Sequence, residues 1–132
     1  LLDEPMIAQL TFYLYPVTGE ETAVVPPMPP PQKPLENAEE DTEGDAQYVF
    51  LYDGQTEEYL ATLYWDLSNA QAWQRHTVDL KAYAGQEIML YFGAKNDGLN
   101  GATGMYIDDV SLLVIDDSLF PYKTYLPIVL KQ

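Results

Sequence analysis

Hydrophobic and polar residues alternate along several short stretches of this chain. In "AQLTFYLYP" (8–16), Ala8, Leu10, Phe12 and Leu14 fall on one side, and Gln9, Thr11, Tyr13 and Tyr15 on the other. That period of two predicts a half-buried strand, closed by Pro16. "EIMLYFGA" (87–94) sets Ile88, Leu90 and Phe92 against Met89 and Tyr91, and "WQRHTVDL" (73–80) puts Gln74, His76, Val78 and Leu80 in phase. "QYVFLYD" (47–53) and "EYLATLYWD" (58–66), with a turn starting at Gly54, predict a hairpin. Both arms are rich in β-branched and aromatic residues and are apolar on both faces, so both faces are expected to be covered. No long segment has a helical period. Short strands separated by turn signals predict an all-β fold, an antiparallel β-sandwich.

"GMYIDDVSLLVID" (104–116) alternates and then slips. Met105 and Ile107 share one phase; Val110, Leu112 and Val114 share the other. The slip falls on Asp108-Asp109. A one-residue change of phase is the signature of a β-bulge, which admits an extra residue and re-aims its neighbours.

Between the strands the composition changes. "VVPPMPPPQKP" (24–34) holds six of the ten prolines, which excludes helix and central strand and favours extended, polyproline-like chain. "ENAEEDTEGD" (36–45) has six acids and no base, the pattern of a solvated loop. "KAYAG" (81–85) is expected to turn with Gly85 at positive φ. "KNDGLNG" (95–101) is a loop that lacks the ligand spacing of an EF-hand. The domain reading is one sandwich over residues 1–116, a Pro-rich then acidic loop at 24–46 within it, and a tail at 117–132.

A net charge of −15 argues against nucleic acid and against an anionic membrane surface, and draws divalent cations. The absence of cysteine removes disulfides, thiolate zinc sites and cysteine nucleophiles. No apolar run is long enough to insert into a bilayer.

Trp73, Val78-Asp79-Leu80, Ala82-Tyr83-Ala84-Gly85-Gln86, Ile88 to Phe92, and Ile107-Asp108-Asp109-Val110 together form a recognisable series. It resembles the jelly-roll (galactose-binding-like) modules of multidomain secreted bacterial proteins. These include accessory domains of immune-inhibitor-A-like peptidases, MAM-like domains and carbohydrate-binding-module relatives. The resemblance covers roughly 8–115 and is densest over 73–112. It implies a non-catalytic module, secreted or on a cell surface, that binds carbohydrate or protein. Such modules usually open with a strand beside the Asp-Asp strand, and nothing before Leu10 matches one. Either those opening strands are cut from this sequence, or a donated strand from another chain, or this chain's own tail, covers the exposed edge.

Two sets of candidate site residues follow. The resemblance implies that Asp108 or Asp109 helps hold a structural calcium; the alternative is that one carboxylate caps the local turn while the other is solvated. Tyr13, Tyr15 and Tyr91, with Tyr59, Tyr64, Trp65 and Met89, are candidates for an outer aromatic face. Such a face suits sugar rings or a neighbouring subunit, or else simply packs. Trp73 and Tyr83 are expected in the core or at its corner. His76, the single histidine, is in phase with Val78 and Leu80 and is expected to be packed and hydrogen-bonded. No motif points to an enzyme. Two function classes remain: a binding module for carbohydrate or protein, and a structural subunit of a surface layer or filament, joined through a donated strand, the tail or the Pro-rich loop as a homo-polymer.

Overall fold

The alternating stretches become strands of two stacked sheets. A computed structural model describes residues 5–22, 25–26, 28, 44–98, 101–116 and 128–131. The acidic run at 36–43 and residues 117–127 of the tail lie outside the described residues. The strands are β1 (Pro5–Thr18), β2 (Ala46–Asp53), β3 (Tyr59–Asp66), β4 (Gln74–Asp79), β5 (Ile88–Lys95), β6 (Thr103–Asp116) and β7 (Ile128–Lys131). One sheet has the order β4-β1-β6, the other β3-β2-β5-β7. Pairing is antiparallel except between β5 and β7, which run parallel. The fold is an all-β sandwich.

Its core is the sum of the inward phases. Leu10, Phe12 and Leu14 of β1 pack against Val49 and Leu51 of β2 and Ile88, Leu90 and Phe92 of β5. Phe12 meets Phe92 edge-on at 5.6 Å. Pro16 is tolerated in β1 because β4 pairs no further than Leu14, so its missing N–H removes no bond to β4. Buried Gln47 ties one end of the sandwich together. Its Nε2 donates to the carbonyls of Val17, Ser68 and Gly104, and its Oε1 accepts from the Ser68 N–H at 2.8 Å.

The phase slip is a bulge. Thr11 faces Ser111 and Tyr13 faces Asp108, so Asp109 and Val110 together oppose Phe12. Asp109 takes up the extra residue at φ 53°, a left-handed conformation that a short polar side chain tolerates. The Asp108 carboxylate accepts the Asp109 N–H at 2.8 Å and holds the kink. Met105 and Ile107 before it, and Val110 and Leu112 after it, then all reach the core.

The strand beside the Asp-Asp strand is β1 itself, paired with β6 from Pro5–Asp116 to Thr18–Thr103. β7, from the tail, lies beside β5 in the other sheet. His76 is packed as expected, stacked on Phe12 at 5.4 Å with Tyr64 edge-on at 4.9 Å. The expected hydrogen bond is missing at Nε2, which is buried without a partner. Burial holds the imidazole below its ordinary pKa.

Candidate functional site

The three-stranded sheet turns its second face to solvent. Pairing sorts its outward residues into rows across β4, β1 and β6. Asp79, Gln9 and Leu113 form one row; Thr77, Thr11 and Ser111 the next; Arg75, Tyr13 and Asp108 a third. Trp73, just before β4, joins Tyr15 and Tyr106 as a fourth. Tyr15 meets Trp73 at 5.4 Å and 61°, and Tyr106 at 5.8 Å and 68°. Trp73 is 49% exposed and Tyr106 63%, so this aromatic trio is open to solvent. From Tyr15 to Gln9 is about 20 Å along the strand, at ~3.4 Å per residue.

Next to the trio the face is hollowed into an open groove of about 500 Å³. Its walls are Gln9, Thr11, Tyr13, Arg75, Asp109, Val110, Ser111 and Leu113. The bulge brings Asp109 into this wall, across Tyr13 from Arg75. An acid, a guanidinium, an amide and two hydroxyls therefore surround one aromatic ring, offering both donors and acceptors.

Tyr13 and Tyr15 thus belong together, on this face. Tyr91 does not join them. It lies on the outer face of the other sheet, 6.2 Å from Tyr48 and parallel to it within 1°. Tyr59 and Trp65 lie on that second face too, whereas Tyr64 turns inward onto His76. Trp73 and Tyr106 are the members of the trio that the alternation left out. Trp73 is in phase with outward Arg75 and Thr77, which was the available signal; it is not a core residue. Tyr83 does pack against the core.

Among the described residues no third carboxylate, histidine or cysteine joins Asp108 and Asp109. The acids that do gather are Glu20, Asp45 and Asp97, with oxygens within 4.8 Å of one another. They come from three strand ends at one pole of the sandwich: after β1, before β2 and after β5. Buried Asp45 accepts the Asp97 N–H at 2.8 Å and the Thr103 hydroxyl at 2.5 Å. Asp97 accepts the Gly44 N–H at 2.8 Å, and Lys95 donates to the Gly44 carbonyl. Glu20 keeps one buried oxygen without a partner. Desolvation, then the charges of Asp45 and Asp97, raise its pKa against the opposing pull of Lys95. The cluster offers oxygens of the kind calcium takes, although acids commonly gather without an ion.

A raised carboxylate pKa means that the folded state holds the proton more tightly than the unfolded one. Glu20 therefore favours the fold below its unfolded pKa, and that contribution is lost as pH rises through the folded value. Glu20→Gln is expected to raise the melting temperature at pH 7 in chelator-treated buffer, with the gain vanishing near pH 4. Thermal melts at both pH values check this; an equal gain at both would contradict it.

No protein-family model, curated protein or solved structure matches this chain. Among the described residues no helix is long and apolar enough to cross a membrane.

Proposed function

We propose that this chain is a non-catalytic binding module of jelly-roll type, carried by a secreted or surface protein, whose outer β4-β1-β6 face takes a carbohydrate chain. The observation that carries the reading is the exposed trio of Tyr15, Trp73 and Tyr106 continuing into a polar groove around Tyr13. Sugar rings present C–H faces that pack on aromatic rings, and rims of hydroxyls that need donors and acceptors. Both are provided here in sequence along one face. Tyr15 stands edge-on to both neighbours, at 61° and 68°, so the three rings do not share one plane. His76 lies on the inner face between Phe12 and Tyr64, where it cannot serve the groove as a base. A glycan array probed with the intact chain tests the proposal and identifies the glycan.

A second reading, a subunit of a surface assembly, is favoured by one observation. β6 spans Thr103–Asp116 and, among the described residues, is paired on one edge only, by β1. Leu113 and Ile115 of that strand are exposed, with exposed Ile7 of β1 opposite Ile115. A long unpaired edge with apolar neighbours is a template for another strand. On this reading the native mass in solution exceeds that of one chain and grows with concentration; a monomer at every concentration sinks it.

A further inference from the structure

The outer face of the four-stranded sheet is built differently. Tyr48, Phe50, Trp65 and Tyr91 stand nearly parallel. Tyr48 and Phe50 are 4.6 Å apart at 21°, and Phe50 and Trp65 6.2 Å apart at 7°. The Tyr48 ring lies over Gly93, its cross-strand partner. A Cβ there would come within 2.5 Å of the ring, so only glycine admits this arrangement. Burial, then the neighbouring Tyr91, pushes the Tyr48 hydroxyl up to about 12, which keeps it neutral.

Two described residues of the proline-rich segment sit on this face. The Trp65 indole N–H donates to the Pro26 carbonyl at 2.8 Å. The Thr62 hydroxyl meets the Met28 sulfur at 3.0 Å. Pro26 is buried and its ring packs on Gly44. Polyproline chain makes no internal hydrogen bonds, so its carbonyls need outside donors, and its rings pack between aromatic plates. An indole N–H set among aromatic rings supplies both requirements, which is the logic of proline-rich peptide recognition.

We propose that the aromatic face of β3-β2-β5 is a recognition site for proline-rich chain, engaged in cis by this protein's own Pro26 and Met28 and able to take the sequence "VVPPMPPPQKP" in trans once that segment is removed. The site faces away from the carbohydrate groove and does not depend on it. In cis, the tether holds the ligand at an effective concentration on the order of millimolar, so an added peptide competes poorly with it.

The test uses the full chain with residues 24–34 replaced by a Gly/Ser stretch of equal length. A synthetic peptide of residues 24–34 is titrated in by isothermal calorimetry, and where Trp65 is kept its indole resonance is followed as well, with exposed Trp73 as internal reference. Saturable binding is expected. It weakens about tenfold when Trp65→Phe removes the donor but keeps a ring, and disappears for a peptide with alanine at every proline. A folded variant that binds neither peptide, or both alike, overturns the proposal. Should the replacement not fold, the unmodified chain serves. There the Trp65 indole proton exchanges more slowly than that of Trp73, and several millimolar peptide shifts the Trp65 signal alone. Equal exchange of both indoles, or no shift at Trp65, overturns it equally.

Discussion

Phe12→Ala is expected to lower folding stability by about 3–5 kcal/mol, the range for truncating a buried phenylalanine. Phe12 is fully buried and joins both sheets. It meets Phe92 across the sandwich and stacks on His76 within its own sheet. It is also the residue that the bulge opposes in the β1–β6 register. Removing it leaves a cavity beside Phe92 and takes packing from an imidazole whose Nε2 is already unpaired. A domain with ~5–15 kcal/mol of stability would lose a large share of it. Urea unfolding followed by far-UV circular dichroism checks the value. A loss under about 1 kcal/mol would mean that the two sheets do not close over β1 as described.

Trp73→Ala carries the largest expected effect on binding: affinity for glycan falls at least about thirtyfold, the level of an aromatic hot spot worth ~2 kcal/mol. Trp73 is half exposed and meets Tyr15 edge-on, so its loss is expected to cost about 1–2 kcal/mol of stability, less than the buried Phe12. The two readouts therefore separate. A protein that has lost glycan affinity but still unfolds cooperatively has lost a contact surface rather than its fold. Tyr15, set between Trp73 and Tyr106, depends on both for its orientation, so the trio acts as a unit and single changes will not add.

What could be read from the sequence follows from what is local. The alternation in β1 and β5 gave the inward residues directly, because a period of two maps onto a sheet without reference to the rest of the chain. The slip at Asp108-Asp109 was readable for the same reason, and the left-handed Asp109 is its physical cause. The hairpin's two apolar faces also made sense locally: one meets the core and the other carries Pro26 and Met28. Sheet membership was not readable. Tyr15 and Tyr91 look equivalent by phase, yet β1 and β5 belong to different sheets, so their outward faces point in opposite directions. The pole where Glu20, Asp45 and Asp97 meet was hidden too, since each sits at a strand end: antiparallel pairing of β2 and β5 brings Asp45 and Asp97 together, and the stacking of the two sheets adds Glu20. Trp73 shares its phase with outward Arg75 and Thr77, and that phase rather than its size decides that it faces out, half exposed, instead of entering the core.

The most direct measurement is isothermal titration of the intact chain with the glycan selected on the array, repeated for Trp73→Ala and Tyr91→Ala. The β4-β1-β6 face predicts that Trp73→Ala abolishes or strongly weakens binding while Tyr91→Ala keeps it. Binding lost with Tyr91→Ala and kept with Trp73→Ala, or no glycan bound by the unmodified chain, would contradict the account.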